Sequence, residues 1–141
     1  DETGRIIGDS GWNENQVLND GITQYILNWV LGDTGNGKSV THMAIGTGGA
    51  PASNATTLDG QLANGKRAAV STSVVSSRTA QFTAAFNSVD SFLTATANIS
   101  NVGLVNTSAT NLGTFLAGAA FASSSIATNN NLNVTYQLRF S

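Results

Sequence analysis

The chain has 141 residues and a net charge of −2, and only 10% of its residues are charged. One domain with a sizeable core fits this length, and the weak negative charge offers no attraction for nucleic acid or an anionic membrane, so we expect neither partner. The absence of cysteine excludes disulfides and thiol chemistry.

An extended N-terminal arm is predicted over residues 1–18. Its first fifteen residues, DETGRIIGDSGWNEN, are rich in Gly and Asn and show no hydrophobic period. Ile6, Ile7 and Trp12 are large apolar side chains in this arm. We therefore predict that these three residues dock the arm onto its own domain or onto a neighbour. The remaining residues, 19–141, are predicted to form a single β domain that begins with a helix.

The helix is predicted over about residues 20–31. Four apolar side chains recur there at the spacing i, i+3, i+4 and i+7, namely Ile22, Tyr25, Ile26 and Trp29. This spacing is typical of one buried helix face, and Val30 flanks it. Asn19 or Asp20 is predicted to cap the start, and Gly32 stands where a helix-terminating glycine belongs.

Residues 32–39, GDTGNGKS, match the phosphate-loop pattern G-x-x-x-x-G-K-[ST]. In that chemistry Lys38 would reach the terminal phosphates and Ser39 would hold Mg²⁺. The motif requires a buried strand before the loop and a long helix after it. Because a predicted helix precedes it and only a short strand at 40–45 follows, we interpret it as a polar connection. No cofactor is predicted.

The hydrophobic period changes to two after this connection. Strands are predicted at 40–45, 66–76, 80–87, 92–99, 113–122 and 132–140. The last has the cleanest alternation, and Asn64-Gly65 is a typical hairpin turn. Turn signals about every ten residues favour a mainly β fold, an antiparallel β-sandwich or jelly-roll-like barrel with one N-terminal α-helix and the extended arm.

Residues that could carry catalysis or bind a metal are few. His42 is the only histidine, so a cluster of several histidines is excluded, and its place in a predicted strand favours a hydrogen-bonded structural role. The eight acidic residues are scattered, and no G-x-S-x-G motif is present. We predict no catalytic residue and no metal site, and we expect that the protein is not an enzyme.

The stretch from Ala68 to Leu138 contains only two charged residues, Arg78 and Asp90. A solitary soluble domain carries charge on about a quarter of its residues. Strands of small apolar, hydroxyl and amide side chains instead suit packing against copies of the same chain. We therefore predict self-association, with Phe115 and Phe121 of the strand at 113–122 among the interface residues.

Several short segments, in order along the chain, resemble the virion structural proteins of tailed bacteriophages, of the tail-fibre, collar or decoration type. They are THMAIGTGGAP at 41–51, TLDGQL at 57–62, Lys66-Arg67, NVGLVN at 101–106, GTFLAGAAF at 113–121 and the strand at 132–140. The chain departs from this pattern at Asn101, where those proteins tend to have an acid. It departs again at Gly118, where they tend to have a basic residue.

This resemblance implies a virion structural protein on the particle exterior. Its partners would be copies of itself, as a homotrimer, and the major capsid protein or tail proteins. A single domain without a coiled coil or fibrous repeat favours a capsid decoration (cement) protein over a tail or tail-fibre component. The alternative is an exposed carbohydrate- or receptor-binding module. Its candidate stacking residues are Trp12, Trp29, Tyr25 and Tyr136, of which only Trp12 lies outside a predicted buried face.

Overall fold

The computed structural model describes residues 15–33, 38–62, 67–110 and 112–140. Within these ranges the chain forms seven antiparallel strands in one sheet that curls into a half-barrel, which confirms the mainly β prediction. The strands are β1 Asn15–Val17, β2 His42–Gly46, β3 Ala68–Ser76, β4 Thr79–Phe86, β5 Ala97–Val105, β6 Phe115–Ile126 and β7 Leu132–Arg139. Their order across the sheet is β1-β6-β5-β2-β3-β4-β7.

Strand β7 shows how alternation produces a half-buried strand. Tyr136 and Leu138 are buried on the inner face of the sheet, whereas Asn133 and Thr135 are exposed on the other side. The predicted alternation therefore holds as far as Leu138. The strand predicted at 132–140 extends one residue too far, because Phe140 lies beyond the end of β7 and is 54% exposed.

The strand predicted at 92–99 is displaced along the chain. The structure places β5 at Ala97–Val105, after a 3₁₀ turn at Ser88–Asp90. Phe92 and Leu93 are buried, but they lie in the connection before the strand. Their burial by tertiary packing, not by a sheet, produced the apolar signal that the prediction assigned to a strand.

The N-terminal helix, α1, spans residues 19–30. It consists of an α-helical turn at Asn19–Gly21, a π-helical segment at Ile22–Ile26 and a second α-helical turn at Leu27–Val30. Gly32 follows it with φ +71°, as predicted. The residue at the capping position is Leu18, which makes no side-chain capping bond, so the prediction of an Asn or Asp cap is wrong.

The predicted buried face of α1 is largely wrong. Of its four residues only Tyr25 is fully buried, and Trp29 is 51% exposed. The helix instead packs on β6 through Leu18, Gly21 and Tyr25. Gly21 lies so close to β6 that a Cβ there would overlap the carbonyl oxygen of Leu116. The π-helical segment adds residues per turn, so a 3.6-residue period does not identify the face that contacts the sheet.

The core has two clusters on opposite faces of the sheet. The larger lies inside the curl and includes Met43 and Ile45 of β2. The smaller lies on the other face and consists of Leu18, Ala44, Leu58, Val105 and Phe115. The central strands β2 and β5 are thus covered on both faces, because residues 47–62 fold over them. β3 is different, since it is exposed from residue 71 onward.

Candidate interaction surfaces

A buried arginine holds together the loops next to the central strands. Arg67 is 7% exposed. Its Nη1 donates hydrogen bonds to the carbonyl oxygens of Thr107 at 3.2 Å, Ala109 at 2.7 Å and Leu112 at 2.8 Å. The guanidinium also lies 5.2 Å from the centre of the Phe115 ring. One cation therefore satisfies carbonyl groups of a loop that has no strand partner.

Burial shifts the pKa of three titratable groups in this region, Arg67, His42 and Tyr25. Burial lowers the pKa of Arg67, and burial together with the Arg67 charge lowers the pKa of His42. Burial raises the pKa of Tyr25, whose hydroxyl donates a short hydrogen bond to the carbonyl oxygen of Thr114. His42 contacts the Thr41 hydroxyl at 2.8 Å. The contacts of His42 and Tyr25 are those of structural groups, not of an acid–base pair.

Asn101 holds the loop that covers β2 and β5. Its side chain is fully buried, and Nδ2 donates to the carbonyl oxygens of Gly49 at 3.0 Å and Asp59 at 2.7 Å. The preceding residue, Ser100, donates through Oγ to the carbonyl oxygen of Gly48 at 2.7 Å. An amide supplies donors at a position where a carboxylate would repel both carbonyl oxygens. The departure from the phage pattern at this position therefore suits the local hydrogen bonding.

The phosphate-loop match does not have the architecture that the motif requires. Helix α1 precedes it and the short strand β2 follows it, which reverses the strand–loop–helix order of nucleotide-binding loops. Lys38 is half-buried, and its backbone N–H donates to the carbonyl oxygen of Gln24 at 3.3 Å. Ser39 is exposed, and residues 34–37 lie outside the described ranges.

The predicted docking residues have different positions. Ile6, Ile7 and Trp12 lie outside the described residues. Phe115 is 4% exposed and belongs to the smaller core cluster, so it presents no surface to a partner. Phe121 is partly buried and packs against the larger cluster from the middle of β6.

The aromatic residues considered for ligand stacking are mostly interior. Tyr25 is 0% and Tyr136 is 5% exposed, as their predicted positions imply. Trp29 differs, because its ring packs edge-on against Tyr25 at 5.8 Å and the rest of it remains in water. A depression of about 210 Å³ lies beside Arg67 and Asp90. Its aromatic residues, Phe86 and Phe92, are each only 2% exposed and present no stacking surface.

Among the described strands, β3, β6 and β7 each have a stretch with no described strand partner on one side. β2 pairs with β3 only at residues 68 and 69, although β3 continues to Ser76. β1 pairs with residues 117–119 of β6, which continues to Ile126. β7 pairs with β4 along its whole length, and no described strand pairs with its other side. We call these three segments, residues 71–76, 120–126 and 132–139, the open edges.

The open edges carry almost no charge. Residues 71–76 are STSVVS and residues 120–126 are AFASSSI, with no ionisable side chain in either. Arg139, at the end of β7, is the single charged residue of the third edge. Proteins that remain monomeric protect edge strands with charged residues, prolines or covering loops. The charge-poor stretch found in the sequence thus coincides with strand edges that have no partner among the described residues, a coincidence that composition alone does not reveal.

The described residues provide neither a cluster of metal ligands nor a membrane-spanning helix. Among the described residues, no three His, Asp or Glu side chains are grouped as a metal site would require. In the same part of the chain, no helix is both long and apolar enough to span a membrane.

Comparisons of the chain with protein-family models, curated proteins and solved structures found no match.

Proposed function

We propose that this chain is a virion structural protein of a tailed phage, which associates with copies of itself on the particle exterior and stabilises the capsid shell as a decoration protein. The observation that carries the proposal is the set of uncharged open edges. The resemblance of about residues 19–141 to phage structural proteins indicates a setting, the virion surface, in which such edges would bind other chains.

The open edges supply hydrogen-bonding groups as well as apolar surface. Phe140 donates its backbone N–H to the carbonyl oxygen of Arg78, on the β4 side. In an antiparallel strand, successive residues direct these groups to opposite sides. The N–H and C=O groups of residues 133, 135, 137 and 139 therefore point away from β4. A strand from another copy or from the shell would satisfy them and bury the adjoining apolar side chains at about 25 cal/mol per Å².

The shape of the fold favours a decoration protein over a tail component. The described residues form one curled sheet with one short helix, without a fibrous repeat. A cement protein must attach at one point of a finished shell, which suits a small domain with an arm. A tail or tail-fibre role remains the alternative within this class.

Trp29 favours the second class of function, a carbohydrate- or receptor-binding module. Its half-exposed ring is fixed against Tyr25, as a stacking platform requires. A single exposed aromatic ring provides little specificity by itself. We therefore rank this function second.

The test measures binding of the purified chain to particles of the phage that encodes it, prepared without this protein. We expect the full chain to cosediment with these particles and to raise the temperature at which they release DNA. A variant lacking residues 1–12 is expected to fold, as judged by circular dichroism, and not to bind. Undiminished binding by the truncated variant would show that the arm is not the docking element. Failure of the full chain to bind would overturn the virion assignment.

A further inference from the structure

Helix α1 has an apolar surface that the described part of its own chain leaves uncovered. Five large apolar residues on or next to it are exposed: Ile22 at 41%, Leu27 at 46%, Trp29 at 51%, Val30 at 76% and Leu31 at 78%. The segment from Gly21 to Gly32 contains no charged residue. A surface helix normally carries polar and charged residues on the side that faces water. We call these five residues the helix patch.

Val30 and Leu31, the two most exposed residues of the helix patch, are not required to hold α1 on the sheet. The contact with β6 is made by Leu18, Gly21 and Tyr25, through a backbone approach and a hydrogen bond to the carbonyl oxygen of Thr114. Substitutions at Val30 or Leu31 should therefore leave the domain folded. The apolar character of the helix patch needs an explanation outside the described part of this chain.

We infer that the helix patch is the surface through which a second copy of this chain binds, so that the α1 helices of two copies pack against each other. The inference rests on the self-association assumed in the proposed function and assigns it to a surface. Contact between like helices requires that like charges do not oppose each other. The patch meets this condition, because the acidic residues Asp20 and Asp33 lie outside its ends.

The extent of the patch agrees with a homomeric contact. Five large side chains, exposed between 41% and 78%, together supply on the order of several hundred Å² of apolar surface on one short helix, and the largest patch on a typical monomer is about 300–600 Å². A standard interface takes about 800 Å² from each partner. The patch thus supplies a large share of one side of such an interface, with a tryptophan, a residue enriched in interface hot spots, among its members.

The first experiment compares two single charge substitutions at exposed valines. Val30→Asp places a carboxylate in the patch, whereas Val89→Asp is a matched control at a valine that is 88% exposed on the 3₁₀ turn. Light scattering across a concentration series should show that Val30→Asp weakens association at least tenfold. The control should associate like the wild type. Equal association of both variants would overturn the inference while leaving the proposed function intact.

The second experiment uses the absence of cysteine from the chain. Val30→Cys and Val89→Cys each introduce a single thiol, whose labelling rate is measured at low and high protein concentration. Association through the patch should slow labelling of Cys at position 30 about tenfold at high concentration and leave the control unchanged. Protection that does not depend on concentration would mean that the N-terminal segment of the same chain covers the patch, and would overturn the inference.

The two experiments separate the two proposals. If the wild type remains monomeric and the thiol at position 30 reacts freely at every concentration, the inference is wrong. Binding to phage particles, measured as above, then decides the proposed function independently.

Discussion

Two regions of the sheet differ in how their polar groups are satisfied. In the covered region, which comprises β2, β5 and the first half of β6, both faces are packed and buried side chains such as Arg67 and Asn101 fix the loops. In the open region, which comprises β7 and β3 beyond Val70, strand edges have no described partner and Val74 is 80% exposed. The first region has the features of a folding core. The second presents exposed strands with almost no charge and no described partner on one side.

This difference shows that a low content of charged residues corresponds to two different environments in one molecule, the interior and the exposed surface. In the covered region a polar uncharged residue is interior, as Asn101 shows. In the open region, residues of similar composition lie on the surface. Four substitution experiments, in descending order of expected effect, break or sharpen the comparison between the two regions.

The largest effect is expected from the arginine pair. Arg67→Met leaves carbonyl oxygens of the loop after β5 without donors, which should reduce the free energy of unfolding by at least about 3 kcal/mol. Arg78→Met, at an exposed residue of the open region, should change it by less than about 0.5 kcal/mol. Urea denaturation measures both. Similar losses for the two variants would contradict the division into regions.

A glycine pair tests the approach of α1 to β6. Alanine favours helices over glycine, but Gly21→Ala would push its Cβ into the carbonyl group of Leu116. We expect a loss of about 1–3 kcal/mol in the free energy of unfolding. Gly49→Ala is the control, because no atom lies within 4 Å of a Cβ built there. A stabilised Gly21→Ala variant would show that the helix does not pack so closely.

A tyrosine pair compares the regions at the level of one hydroxyl. The Tyr25 hydroxyl donates to the carbonyl oxygen of Thr114, whereas the buried Tyr136 hydroxyl on β7 has no partner among the described protein atoms. Tyr25→Phe should therefore cost about 1 kcal/mol, and Tyr136→Phe should be neutral or stabilising. Chemical denaturation of the two variants decides the point. The comparison fails if Tyr136→Phe is the more destabilising change.

The smallest effect concerns pH. Burial and the Arg67 charge lower the pKa of His42, so the unfolded chain binds the proton more readily than the folded chain. The contribution of His42 to stability is therefore present above about pH 6.5 and is lost as the pH falls through its lowered folded pKa. In thermal denaturation, we expect the Tm of the wild type to decrease slightly between pH 7.5 and 5, and we expect no such decrease for His42→Gln. The same pH dependence of Tm in both proteins would refute the prediction.

Sequence patterns predicted the sheet better than they predicted its contacts. β7 was predictable because its alternating apolar and polar residues follow from burial of one face only. The packed face of α1 was not predictable, because Ile22 and Trp29 of its apolar stripe are exposed and its packing depends on a small residue, Gly21. The strand predicted at 92–99 began too early for another reason. Phe92 and Leu93 do not lie in a strand and are buried by neighbours that are distant in sequence.

The polar contacts were the least predictable part. Lys66-Arg67 is one of the segments that resemble phage proteins. The carbonyl oxygens that accept hydrogen bonds from Arg67, however, lie 40 to 45 residues further along the chain. No periodicity links such positions. The open edges were predictable only as a charge-poor stretch, because which strands end without a neighbour depends on the order of the sheet.

The pairing of β1 with β6 also sets when the sheet can be completed. Val17 lies opposite Ala117, and His42 of β2 lies opposite Val105 of β5. Pairings between residues so far apart in sequence must close long loops first, and proteins dominated by such pairings fold in milliseconds to seconds. On the ribosome, β1 cannot pair with β6, and β2 cannot pair with β5, until most of the chain has been synthesised. The apolar residues of β1 and β2 thus remain without these partners for longest, so the rate of sheet closure sets how long they are exposed to other chains.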